Sequence, residues 1–149
     1  MSTIGQLSTA VYRNMQLLVG SRLCDVDIST GQYDFFYVIA RHEGATQTQI
    51  SAWLRVGKST TAKAVKRLVA KGYVEKRKNE RDGRVDHLYL TERGRAIAPR
   101  MAELFRENIA VSLRGLSEAE EAQLLALLAR VLENLVAENR LGTEANGDE

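Results

Sequence analysis

The chain has 149 residues, 44% hydrophobic and 27% charged, with 21 Lys/Arg against 19 Asp/Glu for a net charge of +2. A chain of this length buries roughly 70% of its unfolded surface, so the composition points to one globular unit and excludes a disordered or fibrous protein. No apolar run of about 18 residues is present for a membrane span, and the opening segment lacks a secretory signal, so a cytoplasmic location is expected. The one cysteine, Cys24, excludes an internal disulfide framework, and His42 and His87 alone give no Cys/His cluster at zinc-ligand spacing; neither metal nor cofactor is expected.

Ile4, Leu7, Val11, Met15, Leu18 and Val19 recur at helical spacing and predict a first helix ending near Arg22. Ser29-x-x-Gln32 has the form of a capping box, in which hydroxyl and amide satisfy free backbone N–H groups, and it predicts a second helix from about Gly31. That helix should carry Phe35, Phe36, Val38 and Ile39 into the core and end at Glu43-Gly44-Ala45. Thr46-x-x-Gln49 is a second capping box opening a short third helix, whose packing face is expected to be Ile50, Trp53 and Leu54. Tyr12, Tyr33, Tyr37 and Trp53 are all read as core or core-edge aromatics.

Arg55-Val56-Gly57 then forms a turn into a fourth helix. At about 100° per residue, Ser59, Lys63, Lys66 and Ala70 share one stripe with Arg67 beside it, while Thr61, Val65, Leu68 and Gly72 lie opposite. One face is cationic and the other packs. Two short helices joined by a glycine-containing turn are a helix-turn-helix signature. A hairpin follows, with Val74, Leu88 and Leu90 inward and a turn containing Asn79 and Asp82-Gly83. Three helices followed by a two-stranded hairpin make a winged helix.

Charge is concentrated in this region. Arg55 to Arg84 holds eleven Lys/Arg against three acids, a net of +8, so the remainder carries −6. A solvated face would intersperse both signs, whereas a basic block set in an acidic body is a footprint for polyanion binding. The expected partner is double-stranded DNA. Ser59, Thr60 and Lys63, in the first turns of the helix, are candidates for base edges or nearby phosphates, and Lys58 is a further DNA-binding candidate on the same helix. Lys66, Arg67, Lys76 and Lys78 are candidates for phosphates, with Arg81, Asp82 and Arg84 at the tip of the wing.

Thr91 caps a fifth helix from about Glu92 to Leu113, in which Pro99 predicts a kink or break near Ile97 and Ala98. Ser117-x-x-Glu120 is a third capping box and starts a leucine-rich last helix, after which a polar tail is expected. The first and last helices carry more apolar residues than one core-facing stripe requires. Ile4, Leu7, Val11, Leu124, Leu128, Val131 and Leu135 are therefore assigned to a homodimer interface. The expected organisation is a dimerisation helix over 1–25, a winged helix-turn-helix over 29–94, dimerisation helices over 95–141 and a flexible tail over 142–149. The fold class is mainly α (α+β).

Gly57-Lys58-Ser59-Thr60 resembles the tail of a phosphate-binding P-loop, but that loop needs a glycine at position 52, which is Ala52. Asp25 and Asp27 disfavour a thiolate at Cys24. No Ser/His/Asp or paired acid/base spacing is present, so no enzyme activity is expected.

The segments Leu68-x-x-Lys71-Gly72-x-Val74-x-x-Arg77, Asp82-x-Arg84 and Leu90-Thr91-x-x-Gly94 together resemble the MarR family of winged-helix transcription regulators. The resemblance covers residues 30–95 by motif and the full chain by helix order. It implies a homodimer with interlocked first and last helices, each recognition helix in a major groove, and Arg84, held by Asp82, in the adjacent minor groove. It also implies a regulator, most simply a repressor, on a pseudopalindromic operator. Many relatives bind small aromatic or phenolic anions between the dimer helices and the winged domain, and no residue pattern here identifies such an effector. Cys24 is not the reactive cysteine of the peroxide-sensing branch, which lies nearer Ala10. Two alternatives stay open: a constitutive or architectural DNA binder, and a winged-helix protein-interaction module.

Overall fold

The computed structural model of the chain describes residues 1–81 and 83–145, the last six of these as backbone only. Its elements run α1 (Ile4–Arg22), α2 (Thr30–Arg41), β1 (Ala45–Thr46), α3 (Gln47–Leu54), α4 (Lys58–Ala70), β2 (Val74–Lys78), β3 (Asp86–Leu90), α5 (Glu92–Ser112) and α6 (Glu118–Ala145). Backbone proximity divides them into two units, Met1–Ala110 and Val111–Glu149.

Polar side chains at the helix starts decide where the chain turns into helix. Thr46 Oγ1 accepts from Gln49 N at 3.2 Å while Gln49 Oε1 takes Thr46 N–H at 2.9 Å. Ser117 and Glu120 repeat the exchange ahead of α6, at 3.3 and 2.8 Å. Gln32 Oε1 accepts from Ser29 N at 3.4 Å ahead of α2, and Thr3 with Gln6 forms a further box ahead of α1. Each satisfies two N–H groups that a helix start otherwise leaves without a partner, an effect of about 1 kcal/mol per cap.

In the first unit, Phe36, Ile39, Ile50, Val65, Leu68, Leu88, Met101 and Leu104 are fully enclosed and Val74 and Leu90 nearly so. Complete burial of one such side chain contributes about 1.5–3 kcal/mol, so this cluster fixes the arrangement of α2, α3 and α4 under the hairpin. The hairpin β2–β3 is antiparallel, with Val74 opposite Leu90 and Lys76 opposite Leu88. β1 pairs with the other edge of β3, Ala45 opposite Leu88, and completes a three-stranded sheet in the order β1-β3-β2. This strand is absent from the sequence reading; two residues carry no periodicity, and only the presence of β3 makes them a strand.

Three expectations need correction. Trp53 is 48% exposed and Tyr12 63% exposed rather than core aromatics. Trp53 lies against the His42 ring, centroids 4.5 Å apart, at the end of α2. Helix α5 continues through Pro99 without the break that is one of the two expected outcomes; Met101 and Leu104, beyond the proline, are anchored in the core. Finally, α6 continues to Ala145, beyond the expected start of the tail at 142; residues 146–149 lie outside the described residues.

The join between hairpin and α5 is made by Thr91 and Gly94. Thr91 N–H donates to the Tyr73 carbonyl at 3.1 Å, its hydroxyl donates to the Gly72 carbonyl, 2.5 Å away, and Gly94 N–H donates back to the Thr91 hydroxyl at 3.1 Å. A β-carbon on Gly94 would stand 2.2 Å from the Tyr73 carbonyl oxygen. Because backbone rather than a movable side chain blocks that position, Gly94→Ala should lower the unfolding free energy by about 1–3 kcal/mol, or more, on urea denaturation.

Candidate nucleic-acid interface

Helix α4 separates its two environments cleanly. Thr61, Ala64, Val65 and Leu68 are buried, while Lys58, Ser59, Thr60, Lys63, Lys66 and Arg67 are all exposed. The six recognition-helix candidates are thus on the open side; of the predicted packing face, Thr61, Val65 and Leu68 are buried, Ala64 joins them, and Gly72 lies beyond the helix and is half-buried. Gly57 supplies the N-cap backbone, and Arg55, with φ of 53°, takes the left-handed conformation that ends α3. A non-glycine residue there is uncommon. It lets the chain turn within three residues so that α4 crosses the end of α3.

A buried polar contact fixes that crossing. Ser51 Oγ donates to Thr61 Oγ1 at 2.7 Å, and the Thr61 hydroxyl reaches the Gly57 carbonyl at 3.5 Å. Thr61 is fully enclosed and Ser51 7% exposed, so no water substitutes for either partner. Sequence reasoning placed Thr61 on the packing face without its partner; the pairing spans ten residues across a turn and has no local signal.

On the wing, strand alternation puts Lys76 and Lys78 on one face and Glu75 and Arg77 on the other; Lys76, Lys78, Arg81 and Arg84 are exposed. Arg77, counted in the basic block, is occupied internally. Its Nε donates to Glu75 Oε1 at 2.8 Å, a second guanidinium nitrogen pairs with the same carboxylate, and the group lies 4.4 Å from the Tyr89 ring centroid. At the tip, Arg81 N–H donates to Asn79 Oδ1 at 3.0 Å, a side-chain turn that shapes the loop. Asp82, expected to hold Arg84, lies outside the described residues.

The root of the wing is tied to the helices by groups the sequence reading did not single out. Glu43 Oε1 accepts from Leu90 N at 2.8 Å and from Arg95 Nη2 at 3.0 Å, joining the end of α2, β3 and α5. His87 Nδ1–H donates to the Gly44 carbonyl at 2.6 Å. Gly44, at φ +90°, is in the region that favours glycine, with the Tyr89 hydroxyl closing the space beside it. A hollow of about 380 Å³ lies between α2 and α5, lined by Tyr37, Arg41, Glu43, Arg95, Pro99 and Met101 among others.

Residues expected at a dimer interface are open in the single chain. Ile4, Leu7 and Val11 of α1 are 55–59% exposed. On α6, Leu124, Leu128 and Leu135 are exposed and Val131 is half-buried. Among the described residues there is no group of three or more His, Cys, Asp or Glu that could hold a metal, and no helix long and apolar enough to cross a membrane.

Comparison with known proteins agrees with this geometry. The sequence profile of the MarR family matches residues 26–85. The HTH-type transcriptional regulator BilQ of Clostridium symbiosum is 30% identical over 129 residues, 87% of this chain and 90% of that protein. A MarR-family regulator from Listeria monocytogenes, crystallised with a 26mer DNA, superimposes with a TM-score of 0.84 at 24% identity, covering 100% of this chain and 98% of that one. A mutant MarR from E. coli complexed with operator DNA gives a TM-score of 0.75 at 28% identity, over 87% of this chain and 93% of that one.

Thr61→Val would keep the volume of α4's buried face and leave the Ser51 hydroxyl enclosed without an acceptor. A destabilisation of about 1–3 kcal/mol is expected in urea unfolding, and Ser51→Ala combined with Thr61→Val should recover part of it.

Proposed function

This chain belongs to the MarR family of winged-helix, DNA-binding transcriptional regulators, and on that premise we propose that it is a repressor that grips a pseudopalindromic operator as a homodimer. The observation that carries this reading is the exposed cationic face of α4 beside the basic strand of the wing. Ser59, Thr60 and Lys63, in the first turns of the recognition helix, enter the major groove and meet base edges or nearby phosphates, with Lys58 beside them on the same open face. Lys66, Arg67, Lys76 and Lys78 bind phosphates, which supplies affinity with little sequence information. Arg84, with Arg81 on the same wing, reads the minor groove, where A·T-rich narrowing concentrates negative potential; Asp82, expected to hold Arg84, is assigned to the same role by family resemblance alone. The relatives are transcriptional regulators, which supports reading the chain as no enzyme.

The homodimer is supported by the apolar surface that α1 and α6 each leave open. A leucine-rich helix exposed in water is unfavourable unless a second chain covers it. The hollow between α2 and α5 supports release by a small effector: its volume suits a single aromatic ring, and Arg41 offers positive charge to an acid group, whereas the Arg95 charge is already paired with Glu43.

Footprinting on the chain's own upstream DNA should show two half-sites about 34–36 Å apart, or a multiple of one helical turn; a single asymmetric half-site would overturn the dimeric reading. In vitro transcription from that DNA should fall on adding the protein and recover with salicylate as the probe effector. Lys66→Ala should reduce the slope of log K against log salt by about 0.9 while sparing sequence preference. Arg84→Ala should weaken binding most on A·T-rich flanks, and equal losses on every sequence would contradict its role.

Sedimentation equilibrium should give twice the chain mass. Leu128→Asp should shift the protein toward monomer and cost operator affinity in parallel; an unchanged mass would remove α6 from the interface.

A further inference from the structure

Lys71 belongs to the basic block by sequence, yet the structure turns its charge inward. It stands immediately after α4 as the C-cap residue, and its ammonium meets three oxygens: the Asp27 carbonyl at 3.0 Å, Asp27 Oδ1 at 3.0 Å and Gln32 Oε1 at 3.2 Å. Two of these contacts, to the Asp27 carbonyl and the Gln32 amide oxygen, are hydrogen bonds, and the third is an ion pair with the Asp27 carboxylate. Gln32 is 3% exposed, and the same amide oxygen accepts the Ser29 N–H that starts α2. On its backbone side, the Lys71 carbonyl accepts from Arg93 Nη1 at 2.9 Å, and the Arg93 guanidinium lies 4.5 Å from the Tyr73 ring centroid. One residue thereby joins the end of α4 to the α1–α2 linker, the start of α2 and the start of α5.

We propose that Lys71 is a positioning residue for DNA recognition: by holding Asp27 and Gln32 it sets the orientation of α4, and it makes no phosphate contact of its own. The proposal rests on the DNA-binding reading of α4 and deepens it. A lysine on phosphate and a lysine holding the helix differ in two measurable respects. Loss of a phosphate contact releases fewer counterions and flattens the salt dependence, by about 0.9 in the slope per phosphate on duplex DNA. Loss of an orienting contact misplaces the side chains of α4 against the base edges, which lowers discrimination and leaves the number of phosphate contacts as it was.

The partner residue adds a test of opposite sign. Asp27 is exposed, with 65% of its side chain open, and replacing it makes the protein one charge more positive. On charge alone Asp27→Ala should bind DNA more tightly. If it holds Lys71, the same change should weaken specific binding.

The experiment uses the full chain and two duplexes: one selected from random sequence for tight binding to the wild type, and a scrambled duplex of equal length. Affinities are measured over a salt series for wild type, Lys71→Met, Asp27→Ala, the double variant and Lys66→Met, with circular dichroism to confirm folding. Lys71→Met and Asp27→Ala are each expected to reduce the ratio of specific to scrambled affinity about tenfold with an unchanged salt slope. The double variant should lose no more than either alone, and Lys66→Met should flatten the slope with the ratio kept. A flattened slope for Lys71→Met, or tighter specific binding by Asp27→Ala, overturns the proposal. Should Lys71→Met not fold, the sign of the Asp27→Ala effect decides. A wild type that fails to distinguish the two duplexes overturns the DNA-recognition reading itself, which separates that failure from a failure of Lys71.

Discussion

Ser51 donates to Thr61 in a place water does not reach, and around that contact α3 and α4 take their mutual angle. An isolated hydroxyl in an apolar interior is costly, whereas two that face each other are close to neutral and directional. The pair therefore contributes less to stability than to geometry: the apolar contacts of Val65, Leu68 and Ile50 are non-directional, and the hydroxyls add a direction. The open side of α4 inherits that direction. Lys58, Lys63, Lys66 and Arg67 project from a rigid helix whose opposite face has one arrangement.

The polar groups that place the wing follow the same logic at the surface of the core. Glu43 gathers Leu90 N–H and Arg95 on one carboxylate oxygen, His87 donates to Gly44, and Thr91 links the hairpin to α5. None of these contributes a large energy, since a partly exposed ion pair adds about 0–1 kcal/mol and a typical hydrogen bond about 0.5–1.5 kcal/mol net. Together they define where β3 leaves the sheet and where α5 begins. The basic side chains of α4 and those of the hairpin are thereby presented from parts of one packed unit.

Much of this was legible in the chain itself. Capping boxes at Ser29, Thr46 and Ser117 mark helix starts because the chemistry is local, with hydroxyl and amide three residues apart. The opposition of Thr61, Val65 and Leu68 to Lys63 and Lys66 follows from helical period alone. What escaped is nonlocal. Strand β1 exists because β3 lies beside it, and Trp53 is a surface ring that rests on His42, eleven residues away in the chain. The charge count treated eleven basic residues as equivalent, yet Arg77 lies between Glu75 and Tyr89, and Lys71 between Asp27 and Gln32. Composition reports charge; only packing reports which charges already hold a partner within the chain.

The close approach of Gly94 to Tyr73 has a mechanical meaning. Most contacts between packed elements pass through side chains, whose rotamers give way and absorb small displacements. Here backbone rests on backbone, and the hydrogen bonds of Thr91 bracket the same point on either side. A rotation at the start of α5 has no soft element in which to dissipate and passes directly into the strand that leads to the wing. The joint acts as a stiff coupling rather than a hinge, so compliance between hairpin and helix must come from somewhere other than position 94.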